Sequence, residues 1–123
     1  MTTPAPRGNW YRWEDLPLEE VSSQLRRKVI TGGRIMLVHA FRRAGGFVEP
    51  HQHDNDQFTY VMHGRLRFWL GPNDEQEVVV GPGEVLHVPP NVPHRAIALE
   101  DTMELDIFSP PRVDWTEPPN PSP

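Results

Sequence analysis

The sequence predicts an all-β domain, a sandwich or barrel of short antiparallel strands, on three observations. Turn signals rich in glycine, proline, asparagine and aspartate recur about every eight to twelve residues through the middle of the chain. The segments between them are rich in β-branched and aromatic residues, and Leu66, Phe68 and Leu70 alternate onto one face. The 15 prolines and 9 glycines also disfavour long helices.

Each predicted strand lies between two such signals. The pair Gly32-Gly33 separates the first two strands, Gly45-Gly46 precedes the third, and the run 54–56 turns the chain into the fourth. Later boundaries fall at His63-Gly64 and at 71–74. The one helical candidate covers residues 18–25. The predicted strands cover residues 27–31, 34–41, 47–53, 57–62, 65–70, 77–80, 85–88, 95–99 and 103–108.

Length and charge limit the possible functions. The chain of 123 residues is predicted to form one barrel domain over residues 10–116, with loose tails at 1–9 and 117–123. A net charge of −5 argues against a nucleic-acid partner, and no apolar run predicts a membrane span. The absence of cysteine and of a signal-peptide core leads us to expect a cytoplasmic protein.

Three histidines and a glutamine have the spacing of a metal site. His51 and His53 lie one residue apart on a predicted strand, so their imidazoles point to the same face. Gln57 follows a tight turn, and its strand can therefore return beside the first. His94 follows a proline-stiffened loop much later in the chain. A closed antiparallel barrel would bring it to the opposite wall of the same cavity.

We therefore expect these four side chains to hold one divalent transition-metal ion. Nitrogen and oxygen ligands suit zinc, nickel, iron, manganese or copper, and the chain has no cysteine to add sulfur. Because all four ligands are neutral, the ion keeps its charge, which favours a Lewis-acid role or an anionic, oxygen-rich ligand. A His-x-His pair alone is often a surface accident, so the site depends on Gln57 and His94 joining it.

These residues resemble the first motif of the cupin family. The chain reads Gly45, five residues, His51-x-His53, three residues, Gln57, six residues, Gly64. The motif normally has glutamate where Gln57 stands. The resemblance implies a single jelly-roll β-barrel with a metal ion in its cavity.

A later stretch resembles the second cupin motif. It reads Gly83, five residues, Pro89-x-Asn91-x-x-His94, with Asn91 in place of the usual glycine and Ala98 in place of the terminal asparagine. Together the two motifs are specific for fold and metal site. They do not specify a reaction, because cupins include isomerases, oxygenases and non-catalytic binders.

Residues 105–115 look like the C-terminal signature of the small KdgF-type cupins of pectin and alginate breakdown. This resemblance implies an enzyme that opens 4,5-unsaturated uronates to linear keto sugars. It places Asp106, Phe108 and Arg112 beside the metal, as acid/base, pocket wall and carboxylate anchor. A planar guanidinium suits a sugar carboxylate, and a carboxyl group can carry a proton. Without the resemblance, Asp106 is better explained as solvated and Arg112 as an ion-pair partner of the tail.

Two functions of other classes stay open. Open positions on a three-histidine iron site could bind oxygen, as in a metal-dependent dioxygenase. A cupin that binds a small molecule without turning it over is the second alternative. Oxygen consumption and the effect of replacing Asp106 would separate these functions from ring opening.

The alternation of two strands predicts an exposed apolar face. If Gln57 and Asp106 face the cavity, the large apolar neighbours of each point outward. Such a surface needs a cover, and we expect either a symmetric homodimer packed through sheet faces or the N-terminal segment to provide it. The residues concerned are Phe58, Tyr60, Met62, Met103, Leu105 and Ile107.

Overall fold

The computed structural model describes residues 7–113 as two antiparallel sheets packed face to face. Within those residues a short 3-10 helix at Trp13–Asp15 precedes ten strands. The all-β class predicted from the sequence is therefore confirmed. The strands are β1 Glu19–Ser22, β2 Leu25–Thr31, β3 Met36–Arg42, β4 Phe47–His51, β5 Asp56–His63, β6 Leu66–Leu70, β7 Gln76–Val80, β8 Val85–Val88, β9 His94–Ala98 and β10 Thr102–Ser109.

The strand order gives the jelly-roll arrangement that the cupin motifs imply. The six-stranded sheet has the order β1-β2-β3-β10-β5-β8, and the four-stranded sheet has the order β4-β9-β6-β7. Since β4 and β5 belong to different sheets, the loop between them crosses the sandwich at one end. The connection from β9 to β10 crosses it as well. Histidines on β4 and β9 can therefore face polar side chains on β5 and β10.

The inner faces form an apolar core that polar side chains interrupt on one side. On β10 every second residue from Thr102 to Phe108 is buried, as the period of two in a strand requires. Each fully buried aliphatic side chain stabilises the fold by about 1.5–3 kcal/mol. Polar residues of β5 and β10, among them Thr59, Glu104 and Asp106, are also buried. The main core cluster is Val61, Leu66, Phe68, Leu70, Val80, Val88, Ala96 and Ala98.

The helix predicted at residues 18–25 is wrong. The segment forms β1, a two-residue turn and the start of β2, with Glu19 opposite Arg27. The buried Arg27 Nε lies 3.0 Å from Glu19 Oε2. An isolated helix of this length is marginal in water, whereas the hairpin satisfies the backbone by adding β1 to the edge of a large sheet.

The predicted domain boundaries can be compared only in part. Residues 7–9, the described end of the predicted N-terminal tail, are exposed and have no regular structure. The last residues of the predicted barrel, 114–116, and the predicted tail at 117–123 lie outside the described residues. Between residues 7 and 113, no helix has the length and apolar character that a membrane crossing requires.

The outer face of the six-stranded sheet is apolar and only partly covered. Phe58 and Tyr60 of β5 are 45% and 36% exposed, in the outward direction that alternation predicts. The N-terminal segment covers the other end of this face. The Trp13 ring lies 5.2 Å from the ring of His39. The backbone carbonyl of Trp13 accepts a hydrogen bond from Lys28 Nζ at 2.7 Å.

Candidate metal centre

The structure brings three histidines together at the end of the sandwich. His51 of β4 lies opposite His94 of β9 in the strand register, and their ring centroids are 4.2 Å apart. His53, in the loop after β4, lies 5.4 Å from the His51 ring and 5.1 Å from the His94 ring. One ring nitrogen of each histidine lies within 4.8 Å of the others, so this cluster could bind a metal ion.

Backbone contacts orient all three imidazoles. The Nδ1 atom of each ring faces a backbone carbonyl, which accepts a hydrogen bond only from a protonated nitrogen. The Nε2 atom of each neutral ring therefore keeps its lone pair, as a metal ligand requires. The carbonyls belong to Glu49 for His51, Asn55 for His53 and Val92 for His94, at 2.8, 3.2 and 2.8 Å.

The Gln57 amide presents its oxygen to this cluster. Gln57 Oε1 lies 3.1 Å from His53 Nε2, while Gln57 Nε2 donates to Thr59 Oγ1 at 2.9 Å. In the tautomer whose Nδ1 donates to the Asn55 carbonyl, the 3.1 Å contact joins two acceptors. A cation beside them would be bound by both lone pairs, so the donor set fits a divalent metal ion.

Burial favours the neutral form of two of the imidazoles, those of His53 and His94. Removal from water lowers the pKa of His94 to about 4, despite the opposing hydrogen bond to Val92. Burial also lowers the pKa of His53, and the charge of Arg112 adds to the effect. A cation entering the site therefore meets unprotonated His53 and His94 side chains at neutral pH.

Two carboxyl groups of β10 line the same pocket. Asp106 Oδ1 accepts a hydrogen bond from Thr59 Oγ1 at 2.6 Å, across the β5–β10 pairing. Glu104 Oε1 accepts one from Arg42 Nε at 2.6 Å, and Glu104 and Asp106 are both almost fully buried. The hydrogen bonds therefore run from Gln57 through Thr59 to Asp106, beside the Glu104–Arg42 ion pair.

The pocket favours the protonated form of Asp106. Burial and then the charge of Glu104 raise the pKa of Asp106 to about 8, against the opposing effects of Arg42 and Thr59. A side-chain hydrogen bond also links the two carboxyls, which requires a proton on one of them. Asp106 therefore holds its proton more strongly than an ordinary aspartate does, next to the Glu104–Arg42 ion pair.

An aromatic ring and a guanidinium close the pocket. The buried Phe108 ring stands edge-on to His53, with 5.8 Å between centroids, and the Arg112 guanidinium lies 5.3 Å above it. The pocket measures about 350 Å³ with its open mouth included. About 30 Å³ of it admits the centre of a water molecule, so the enclosed part has room for only a few waters. A larger ligand must extend into the mouth, where Arg112 lies.

A larger groove lies elsewhere, against the outer face of the six-stranded sheet, and measures about 1260 Å³ with its open side included. Leu18, Phe41 and Met103 contribute apolar walls to it, and Arg26 and Lys28 contribute charge. None of the residues predicted to bind metal or substrate lines this groove.

The sequence patterns did not identify three polar residues of the pocket. Thr59 and Glu104 share strand faces with Gln57 and Asp106, so the same alternation could have identified them. Arg42 precedes Arg43 in the sequence, and a pair of adjacent arginines is more typical of a solvated surface than of a buried site. The burial of Arg42 depends on Glu104, which lies 62 residues away in the chain.

The departure from the cupin pattern at Asn91 has a structural explanation. Asn91 has φ +64, a left-handed conformation that favours glycine and that asparagine tolerates better than most residues. Its backbone N–H donates to the His53 carbonyl at 2.7 Å. The turn thus fastens the loop before His94 to the segment that carries His53.

Comparison with known proteins agrees with this fold. A family model described as the cupin domain matches residues 41–109, more than half of the chain. No curated protein sequence matches the chain.

Solved structures extend the agreement to most of the chain. KdgF from Halomonas is 28% identical with a TM-score of 0.81, over 89% of this chain and 99% of its own. An RmlC-like cupin from Shewanella frigidimarina is 25% identical with a TM-score of 0.80, over 89% and 96%. A Bacillus subtilis oxalate decarboxylase mutant, 19% identical with a TM-score of 0.70 over 85% and 31%, shares the fold alone. The chain belongs to the cupin domain family.

Proposed function

We propose that the protein opens the ring of 4,5-unsaturated uronates to give linear keto sugars, with one divalent metal ion bound. The observation that carries the proposal is the buried Asp106 carboxyl, connected by hydrogen bonds to Gln57 beside the three-histidine cluster. The similarity to KdgF from Halomonas over nearly the full length of both chains supports the same reaction class.

The metal would be held by His51, His53, Gln57 and His94. When bound, it supplies a Lewis acid that polarises an oxygen of the substrate. The neutral donor set leaves the full charge of the ion available for an anionic, oxygen-rich ligand.

The reaction moves one proton out and one proton in. The anomeric hydroxyl loses its proton, the bond between the anomeric carbon and the ring oxygen breaks, and an aldehyde forms. The electrons of that bond leave an enolate across the former double bond, which becomes a ketone when its distal carbon takes a proton. Asp106, whose pKa burial raises to about 8, can supply that proton. The proton that the anomeric hydroxyl releases can then return to the Asp106 carboxylate. The product is an isomer of the substrate, so no oxidant or water is consumed.

Arg112 and Phe108 would bind and orient the sugar. The guanidinium lies over the pocket and can pair with the substrate carboxylate through two parallel hydrogen bonds. The Phe108 ring contacts both His53 and Arg112 and would form an apolar wall for the sugar. Binding of the carboxylate by Arg112 would hold the sugar at the pocket that Asp106 also lines.

Turnover of lyase-generated unsaturated uronates tests the function. The metal-loaded protein should accelerate the loss of absorbance of the conjugated double bond, under argon as well as in air. Turnover that needs oxygen and consumes it would instead indicate a dioxygenase. Substrate binding without decay faster than buffer would indicate a binding protein, and either result would overturn the proposal.

We also propose that a second copy of the chain covers the outer face of the six-stranded sheet. Phe58, Tyr60 and Val85 form an exposed apolar row on β5 and β8, beyond the part that Trp13 covers. A symmetric homodimer through this face would bury the row twice, once on each copy.

A further inference from the structure

The orientation of the Gln57 amide decides whether it can act as a metal ligand. Its oxygen faces His53 and its NH₂ group faces Thr59. Rotation of the amide by half a turn would direct hydrogens at the histidine cluster, and an N–H group repels a cation. The strand places the side chain but does not choose between these two orientations, so another group must choose.

The Thr59 hydroxyl makes that choice because it has a single proton. It donates this proton to Asp106 Oδ1 at 2.6 Å, and its oxygen is then only an acceptor toward Gln57. The Gln57 NH₂ group satisfies it at 2.9 Å. In the rotated amide, Oε1 would face the Thr59 oxygen, and two acceptors would meet without a proton.

Burial makes the choice strict. Thr59 has no exposed surface, so water cannot replace a lost partner at either end. Beyond Asp106, the Glu104–Arg42 ion pair fixes the far end of the chain of hydrogen bonds. The other charged or titratable groups that line the pocket are His51, His94 and Arg112.

We infer that Thr59 is a positioning residue, whose hydroxyl fixes the Gln57 oxygen toward the three imidazoles and joins that ligand to Asp106. The inference rests on the proposed function in one respect, since it takes Gln57 as a metal ligand. One hydroxyl then aligns the metal ligand and the acid together, although it contacts neither metal nor substrate.

Zinc titration into chelator-stripped protein, followed by calorimetry, tests this role. Thr59→Val replaces the hydroxyl with a methyl group of similar size and should weaken zinc binding about ten- to a hundredfold, the range for groups that orient metal ligands. Thr102→Val is the matched control, because Thr102 is a buried threonine whose hydroxyl bonds only backbone carbonyls outside the pocket. It should leave zinc affinity within about twofold of wild type.

A second pair of variants at position 59 tests the same role in case Thr59→Val does not fold. Thr59→Ser and Thr59→Ala lose the same methyl group and differ only in the hydroxyl. The serine variant should bind zinc nearly as wild type does, and the alanine variant about tenfold or more weakly.

Replacement of the ligand separates positioning from general structural support. Gln57→Glu has two equivalent oxygens, so it needs no group to choose its orientation. In that background, Thr59→Val should weaken zinc binding far less than it does beside Gln57, which a double-mutant cycle measures.

Three outcomes separate the claims. The inference alone is overturned if Thr59→Val binds zinc as tightly as wild type, or if Thr102→Val weakens zinc binding as much as Thr59→Val does. It is also overturned if Thr59→Val weakens zinc binding as much in the Gln57→Glu background as beside Gln57. Zinc binding that follows the predicted pattern without turnover of uronates leaves the inference standing and overturns the function. Absence of zinc binding by the wild type overturns both.

Discussion

The pocket raises the pKa of Asp106 to about 8, well above the ordinary value of an aspartate. Asp106→Asn is a matched replacement, because its carbonyl can accept from Thr59 and its NH₂ group can donate to Glu104. It cannot release a proton. We expect turnover of unsaturated uronates to fall about a hundred- to ten-thousandfold with zinc affinity unchanged. Wild-type turnover by this variant would remove Asp106 from the proton transfer.

The raised pKa of Asp106 also predicts how stability depends on pH. Between its ordinary value of 3.8 and about 8, the unfolded chain has lost a proton that the folded protein keeps. Folding stability therefore falls as pH rises through this window, and the loss is complete above it. Asp106→Asn lacks this loss. The unfolding free energy of metal-free Asp106→Asn, relative to wild type, should rise from pH 4 to pH 8, and a flat difference would contradict the assignment.

At the scale of elements, the turns carry constraints that glycine relieves. Gly64, between β5 and β6, has φ +84, and a Cβ there would collide with the Asp101 carbonyl and the Thr102 side chain. Gly83 has φ +80 but open space around it. Gly83→Ala should therefore cost only the conformational penalty, about 1–2 kcal/mol.

Gly64→Ala should cost several kcal/mol in total, because the collision adds to that penalty. Urea unfolding of both variants measures the difference through their midpoints at similar slopes. Equal losses of unfolding free energy in the two variants would show that a Cβ at position 64 does not collide with its neighbours.

The strand pattern predicts much of this fold, and the pairing of distant strands accounts for the rest. Alternation on β5 predicts the outward direction of Phe58 and Tyr60, and both side chains are exposed. The β1–β2 hairpin was missed because its pairing with the sheet edge overrides a weak local preference. The Glu104–Arg42 pair depends on the β3–β10 register, which no local pattern encodes.

The same limit applies to the candidate site. The spacing of His51, His53 and His94 predicts that they converge, and the structure brings them together. Thr59 and Arg42 gain their importance only from their neighbours in space. The position of the Arg112 guanidinium over the Phe108 ring likewise depends on the path of the chain after β10.

At the scale of the whole molecule, the exposed sheet face predicts a dimer. Light scattering coupled to size-exclusion chromatography should give the mass of two chains at micromolar concentration. Val85→Glu should yield monomer, because Val85 is 56% exposed on the proposed interface and a buried carboxylate there is costly. Val79→Glu, on β7 of the other sheet, makes the same change and should stay dimeric. Monomeric wild type would sink the proposal.

We propose that one small β-sandwich directs the side chains of four ligands at a single cation. Anomalous diffraction at the zinc edge from crystals of zinc-loaded protein tests it most directly. One strong peak is expected about 2.0–2.1 Å from Nε2 of His51, His53 and His94, with Gln57 Oε1 also coordinating. A His94 imidazole turned away from the other two, with no peak between them, would contradict it.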